Sequence, residues 1–445
     1  MKPQEKICVA LAVTDSYICG MNFWIIFYNS IVVPLLWILF RLGGLLNKKI
    51  RRGINGRKNL LQRLQNDVQK LSAHNRIWFH ASSLGEFEQA KPIIAAIKQR
   101  YPNTDIIATF FSPSGYEHSK NYKLANIISY IPFDSHSQAK QFVEIVRPTL
   151  AVMVRYDIWP NMIWSLRRNN IPVMIANATM RGNSLRKLPV LKQFHRSLYN
   201  CFSHILTVSE HDRQSFSEFN TTKPVIAAIG DTRFDQVMMR SRDARTKQIF
   251  AEKIIQGKKI FIVGQSWQED EEVILPVLFK LNEQEPELLT IIVPHEPTLE
   301  HLEQLEMKLE NNISFIRFSE MNQYTNEQCI LVDSVGVLVA LYKYAHVVYI
   351  GGSFWQGIHN VLEPAVFGVP VVYGPKHTNS QEAVQLAALH GGFIVEDEKE
   401  LYRTLRTLLD NETQRTTAAE ISRSFVETNC GATEKFLAFI TGYIQ

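Results

Sequence analysis

Between Gly351 and Glu382 the chain reads GGSFWQGIHNVLEPAVFGVPVVYGPKHTNSQE. Paired glycines after an apolar run let the backbone turn tightly at the end of a strand. The spacing predicts a helix that begins near Gly357–Asn360 and runs through Phe367. The amino end of a helix offers unpaired N–H groups and a partial positive charge, which together bind phosphate. Glu363 stands one turn beyond His359 on the same helix face, where a carboxylate can accept both hydroxyls of a ribose. Pro364 in the second turn makes that helix short or bent. A further strand, Val369–Tyr373, leads through Gly374-Pro375 to Asn379 and Glu382 at the next helix. Gly352, Ser353, His359, Asn360, Glu363, Asn379 and Glu382 are therefore candidate nucleotide-binding residues. Glycine-rich turns with ordinary capping residues look similar; His-Asn-x-x-Glu after such a turn is the more specific signal.

Other strand ends carry chemistry. HASSLGEFEQ places Ser83, Gly85 and Glu86 in a loop that opens a helix. A first-turn glutamate is favoured by the helix dipole alone; at a loop facing a cleft it also suits a general base. VRYDIWPNMI ends a strand in Arg155 and Asp157, then opens a helix at Trp159-Pro160-Asn161, with proline in its favoured first-turn position. Trp159 serves equally well as a core residue and Asn161 as a cap. VGQSWQEDEE presents Ser266 and Trp267, VPHEP presents His295, and GDTRFD presents Arg233. The chain has no metal-ligand spacing, no P-loop, no GxGxxG and no Ser-His-Asp arrangement. A single phosphate site of this kind favours a monophosphate-type leaving group over a metal-dependent diphosphate.

These residues need elements to hold them at strand ends. Apolar runs recur at Ile77–His80, Ile106–Phe111, Ile127–Ile131, Leu150–Val154, Pro172–Ala176, Ile205–Val208 and Val225–Ile229. After a charged stretch they resume at Ile260–Val263, Leu288–Val293, Ile313–Phe318, Cys329–Val332, Val347–Ile350, Pro370–Tyr373 and Phe393–Val395. Continuous apolar strands alternating with helical stretches such as Phe87–Arg100 and Ser137–Val146 indicate parallel sheets covered on both faces. The expectation is an α/β protein with two Rossmann-like, doubly wound domains facing a cleft. Residues 76–235 form the first domain, 236–257 a linker and 258–445 the second. Ligands then belong at the carboxyl ends of the strands.

Composition bounds the rest. With 445 residues, 46% hydrophobic and 20% charged, the chain is globular and long enough for two or three domains. Its five cysteines, Cys8, Cys19, Cys201, Cys329 and Cys430, are scattered, which argues against a disulfide framework or zinc site and for a reducing compartment. The net charge of +5 is local: Arg41, Lys48, Lys49, Arg51, Arg52, Arg57, Lys58 and Arg63 contribute eight, which leaves −3 for the rest. That distribution excludes a nucleic-acid-binding surface. The eight follow an uncharged run, Phe23–Phe40. A span of roughly 20 apolar residues crosses a bilayer, and basic residues after it hold that side in the cytoplasm. No small-residue cleavage site follows, as a secretory signal would need. The expectation is an extension at 1–20, a membrane anchor at 21–46 and a basic amphipathic arm at 47–75. Asn29, Ser30 and Pro34 also fit a helix lying in the interface.

The ordered motifs resemble the 3-deoxy-D-manno-oct-2-ulosonic acid (Kdo) transferases, glycosyltransferase family 30. The family's His-Ala-x-Ser-x-Gly-Glu is found at His80–Glu86, its Trp-Pro-Asn at Trp159–Asn161 and its Asn-Ala-x-Met at Asn177–Met180. Gly-Asn-x-Lys-Phe-Asp becomes Gly230–Asp235, and Gly-Gly-Ser followed by Gly-x-His-Asn-x-x-Glu-Pro stands at Gly351–Ser353 and Gly357–Pro364. The resemblance implies a GT-B fold in an enzyme tethered to the inner membrane and facing the cytoplasm. It implies inverting, metal-independent transfer of Kdo from CMP-Kdo to a lipid A precursor (lipid IVA) in lipopolysaccharide synthesis, with no cofactor. Glu86 is then the base. His359, Asn360 and Glu363 contact CMP, with Ser266, Trp267, His295, Gly352, Ser353, Asn379 and Glu382 beside the donor. Ser83, Gly85, Asp157, Trp159 and Arg233 line the acceptor side. Departures occur. Val-Pro-Arg-His reads Val293-Pro294-His295-Glu296, Glu-x-Glu reads Arg155-Tyr156-Asp157, and Gly-Ser-Thr-His reads Gly264-Gln265-Ser266-Trp267. A lysine is replaced by Arg233. His295 and Arg233 are left as candidates for the missing positive charge. Two other readings are open: a GT-B enzyme using a different nucleotide sugar, and a non-catalytic relative that binds the lipid A precursor.

Overall fold

Strands built almost wholly of apolar residues must be covered on both faces, and the computed structural model covers them in two units. It describes residues 23–444. The predicted extension at 1–20 lies outside the described residues, as do Met21 and Asn22 of the predicted anchor. One unit runs to Gln236 and includes the segment from Gly431; the other is Val237–Cys430.

The first unit holds β1 (Asn75–Ala81), β2 (Thr104–Phe110), β3 (Ile127–Tyr130), β4 (Leu150–Val154), β5 (Val173–Ala178), β6 (His204–Thr207) and β7 (Val225–Ala228). They lie in the order β3-β2-β1-β4-β5-β6-β7, all parallel, with Ile77 aligned to Ile106 on one side and Leu150 on the other. The second unit holds β8 (Lys259–Ser266), β9 (Leu288–Pro294), β10 (Phe315–Arg317), β11 (Cys329–Leu331), β12 (Val347–Ile350), β13 (Val371–Tyr373) and β14 (Gly392–Ile394). Their order is β10-β11-β9-β8-β12-β13-β14, again all parallel. Each apolar run singled out in the sequence is one of these strands. In each sheet the chain winds outward on one side and then restarts on the other. The strand order thus reverses between β1 and β4, and between β8 and β12, and such reversals open a crevice at the carboxyl ends.

Two domain boundaries differ from expectation. Residues 431–445, assigned by sequence to the second domain, belong to the first unit. Phe436, Leu437 and Ile440, spaced along one face of the helix Ala432–Ile440, join Phe87, Ile94 and Ile97 in its core. Asp235 locks this return, accepting from the N–H groups of Gly431 and Thr433 at 2.7 Å each and from the Thr433 hydroxyl at 2.8 Å. The stretch 236–257 is not an irregular linker: the boundary falls within the helix Thr232–Thr246.

The helix Phe23–Leu46 is long and apolar enough to cross a membrane, yet its first half is docked on the first unit. Tyr28 is buried and donates its hydroxyl to Asp134 at 2.9 Å. Asn29 and Asn161 exchange side-chain amide hydrogen bonds at 2.9 and 3.0 Å. Trp24 packs edge-on against Phe194. Asp134 also accepts from the N–H groups of Asn161 and Met162, each at 3.1 Å, and burial pushes its carboxyl up to about 6. The opposite face, with Leu35, Leu39, Leu42 and Leu46, is exposed.

The basic segment is folded onto the same unit. Leu60, Leu64 and Val68 of the helix Leu60–Val68 are buried. Arg57 donates to the carbonyls of Gly53, Phe111 and Ile131 and lies over the Phe111 and Tyr130 rings at 4.8 and 4.9 Å. Burial lowers its pKa to about 10. Arg57 is thus a structural cation rather than a member of a free basic surface.

Removing the Tyr28 hydroxyl leaves Asp134 short of a donor in a buried site. Tyr28→Phe is expected to lower stability by about 1–3 kcal/mol, read as the unfolding midpoint of the detergent-solubilised protein. A midpoint equal to that of the parent chain would contradict the docking role.

Candidate active site

In the first unit the polar side chains gather where the strand order reverses. β1 ends at Ala81, and Ser83 caps the helix Leu84–Arg100. Glu86 closes a reciprocal capping box: its Oε2 accepts from the N–H groups of Ser82 and Ser83 at 2.7 and 3.1 Å, and its own N–H reaches the Ser83 hydroxyl at 3.4 Å. Pairs of this kind satisfy orphan donors at a helix start. Glu86 is only 8% exposed. Burial raises its pKa, and the Asp157 carboxylate raises it further against the opposing hydrogen bonds. A carboxyl so placed is a better base than an exposed glutamate. Gly85 has open space where a side chain would begin.

Asp157 follows β4 and accepts from three sides. The Ser82 hydroxyl donates to it, the Trp159 indole N–H lies at 3.0 Å and His80 Nε2 at 2.9 Å. The indole can only donate, and His80 Nε2 is also within 3.0 Å of it, so the three groups meet at one carboxylate oxygen. His80 Nδ1 continues to the Thr109 hydroxyl at 2.9 Å, which accepts from the Trp78 indole at 2.8 Å. Ser82 therefore bridges the two acids, donating its backbone N–H to Glu86 and its hydroxyl to Asp157. Trp159 is also half-packed, tilted against Phe111 at 4.8 Å, as the core role foreseen for it requires. Arg233 grips Asp231 with its guanidinium and its backbone N–H at 2.7–2.8 Å.

In the second unit the β8 and β12 loops meet at the corresponding reversal. Gly351 passes so close to β8 that an added Cβ would lie 2.1 Å from the Gln265 carbonyl oxygen. Gly352 has φ +90°, and its N–H donates to Asp270 at 2.7 Å. Asp270 is fully buried and also accepts from the Trp267 N–H at 3.0 Å, the Phe354 N–H at 3.4 Å and the Tyr349 hydroxyl at 2.8 Å. Desolvation raises its pKa against those bonds. This carboxylate organises the whole loop, and it was not among the predicted residues; its sequence signal was only the acidic run QEDEE after Trp267.

The predicted nucleotide residues divide into rings and clamps. Trp267 donates its indole N–H to His359 Nε2 at 2.9 Å, and the two planes differ by 14°. His295 stacks on both, 4.6 Å from Trp267 and 4.5 Å from His359. Burial, and then His295, push His359 down to about 4. Ser353 is buried, accepting from the Gly374 N–H at 2.7 Å. Asn379 clamps the loop, bonded to the N–H and carbonyl of Ile358 at 3.1 and 3.0 Å. Ser266 is buried and donates to Glu271 at 2.7 Å, and Glu271 pairs with His301 at 2.9 Å. Glu382 accepts from the Ser380 hydroxyl at 2.8 Å at the start of the helix Gln381–Ala388. Glu363 pairs with Arg240 at 2.8 Å.

One expectation is overturned here. No helix begins at Gly357–Asn360. The segment has no regular secondary structure, and the helix is the four residues Leu362–Ala365. Pro364 lies within it; the N–H of Gly357, at φ +130°, donates back to the Gly352 carbonyl at 2.8 Å, and the Ile358 N–H donates to the Asn379 side chain and the Lys376 carbonyl at 3.1 Å each, instead of to a helical turn. Asn360 caps that short turn, accepting from the Leu362 N–H at 3.1 Å. A phosphate site at a helix amino end near His359 therefore lacks its element, and charge must come from side chains.

Two all-parallel, doubly wound seven-stranded sheets define a GT-B fold. UDP-GlcNAc 2-epimerase of Neisseria meningitidis shares it, with a TM-score of 0.60 at 14% identity over 82% of this chain and 100% of that one. Residues 57–236 match the family model described as 3-Deoxy-D-manno-octulosonic-acid transferase (kdotransferase). The 3-deoxy-D-manno-octulosonic acid transferase of Haemophilus influenzae is 28% identical over 83% of this chain and 87% of its own length. That of Chlamydophila psittaci is 27% identical over 76% and 78%. Over most of its length the chain is thus similar to Kdo transferases.

Asp270→Ala would strand three loop N–H groups and a buried hydroxyl. It is expected to cost on the order of 3–5 kcal/mol and to show as a lowered unfolding midpoint, with protease cleavage appearing between Gly351 and Asn360. An unchanged midpoint would show that the loop holds itself.

Proposed function

We propose that this Kdo transferase takes Kdo from CMP-Kdo and attaches it to a sugar hydroxyl of a lipid A precursor such as lipid IVA, with inversion and no metal in any step. Glu86 carries this reading. It is a buried carboxyl with raised proton affinity at the β1–β4 reversal, one oxygen held by two N–H groups. In the proposed step Glu86 takes the proton of the acceptor hydroxyl as its oxygen bonds to the anomeric carbon. The bond from that carbon to the CMP phosphate breaks, and CMP leaves with the electron pair. His359, Asn360, Glu363, His295 and Trp267 face the nucleotide; Ser83, Gly85, Asp157 and Trp159 border the acceptor.

General base catalysis contributes about 10²–10⁴-fold. Glu86→Gln is expected to lose turnover by that factor while binding CMP as before; near-normal turnover would refute the assignment. The acid limb of the kcat/KM profile is expected above the ordinary glutamate range and should fall towards it in Asp157→Asn, since the Asp157 charge helps raise Glu86. A limb that does not move would detach Asp157 from the base.

We also propose that the enzyme works at the inner membrane with its domains in the cytoplasm. The docked half of Phe23–Leu46 and the exposed leucines of its other face support a helix lying in the interface, flanked by Lys48, Lys49 and Arg52. Each such cation near an anionic surface is worth about 1 kcal/mol. Changing Leu35, Leu39, Leu42 and Leu46 to serine together is expected to move the protein from the membrane to the soluble fraction at unchanged thermal stability. Persistent co-sedimentation with membranes would count against this role of the helix.

A further inference from the structure

The helix Pro160–Arg168 begins without a cap of its own. Its N-cap residue is Trp159, whose side chain accepts nothing from the first turn, since an indole only donates. The first N–H groups of a helix need acceptors all the same. Asp134 supplies them from outside: one of its oxygens takes the Asn161 N–H and the other the Met162 N–H, each at 3.1 Å. The oxygen that holds Asn161 also accepts the Tyr28 hydroxyl at 2.9 Å. Beside it, the Asn161 side-chain amide donates to the Asp134 carbonyl at 2.7 Å and exchanges hydrogen bonds with Asn29 at 2.9 and 3.0 Å. Two residues of the N-terminal helix thus set where the Pro160 helix starts.

That start is also one wall of the active site. Trp159 donates its indole N–H to Asp157 at 3.0 Å and lies equally close to His80 Nε2. Asp157 accepts the Ser82 hydroxyl, and the Ser82 N–H donates to Glu86 at 2.7 Å. A run of hydrogen bonds and short backbone steps therefore joins Tyr28 and Asn29 to Glu86, all of it within the first unit. Asp134, Asn161 and His80 are buried, where a lost partner is not simply replaced by solvent. The titratable groups that act on Glu86 are Asp157 and His80; those that act on Asp134 are Tyr28 and His80. His80 belongs to both sets.

We propose that Tyr28 and Asn29 are positioning residues for the transfer reaction. Through Asp134 and Asn161 they fix the start of the Pro160 helix, and through Trp159 they hold the Asp157 carboxylate in its place beside Glu86. The N-terminal helix then does more than carry the enzyme to a surface: it completes the active site of its own unit. This rests on the reading of Glu86 as the base.

The test follows Kdo transfer from CMP-Kdo to detergent-dispersed lipid IVA as a function of pH, using the full-length, detergent-solubilised protein below the unfolding midpoint of each variant. In Asn29→Ala and Tyr28→Phe, kcat is expected to fall by about 10- to 100-fold, the cost of misplacing a reacting group by about 1 Å, with KM for both substrates unchanged within about twofold. The acid limb of kcat/KM should move towards the ordinary glutamate range, as in Asp157→Asn. Added to Asp157→Asn, Asn29→Ala should move the limb no further, because both act through one carboxylate. Val68→Ala, a core change in the helix Leu60–Val68 with no part in these bonds, should lower the unfolding midpoint and leave the limb unmoved. A limb that moves in Asp157→Asn but stays in Asn29→Ala and Tyr28→Phe would overturn the inference, as would an equal shift in Val68→Ala. A limb that stays in Asp157→Asn as well would overturn the reading of the Glu86–Asp157 pair, and this inference with it.

Discussion

A strand covered on both faces can offer polar chemistry only at its ends. That constraint governs this chain. In β2, β4, β5 and β9 every residue is buried, so no catalytic group can stand on a sheet surface. The amino ends are closed by tight connections, and along the carboxyl edge neighbouring loops diverge only where the winding reverses. Glu86 and Asp157 flank the β1–β4 reversal; Trp267 and His359 flank the β8–β12 reversal. The chemistry is where backbone topology leaves room for it.

Carboxylates that gather several donors fix the connections between elements. Asp134, Asp270 and the half-buried Asp235 each accept several N–H or O–H donors, which offsets the desolvation of the two buried ones. Each turns a flexible connection into a defined one: the entry to the Pro160 helix, the return of the C-terminal helix, the β12 loop. Glu86 and Asp157 differ in being joined through one residue, Ser82, so that the position of one acid is coupled to that of the other.

The strands were legible because fully covered β-structure writes itself as unbroken apolar runs, from Ile77–His80 to Phe393–Val395. The residues after them were legible because glycines, caps and charges cluster at strand ends. What the sequence could not show was partnership at a distance. Asp270 meets Gly352, eighty-two positions on, and nothing local distinguishes it from the acids beside it. The helix expected at His359 failed for a related reason: Asn379, beyond another strand, takes both backbone groups of Ile358, which local spacing does not reveal. The C-terminal helix was misassigned because sequence proximity said nothing of Asp235.

The Tyr28–Asp134 bond sets an order of events during synthesis. The partners of the N-terminal helix, Asp134, Asn161 and Phe194, emerge from the ribosome well over a hundred residues after it. At roughly 5–20 residues per second, the helix waits on the order of five to thirty seconds for its docking site. Throughout that interval Tyr28 and Asn29 are without the partners that they have in the folded unit. The N-terminal helix therefore finds its docking site only after most of its own domain has been made.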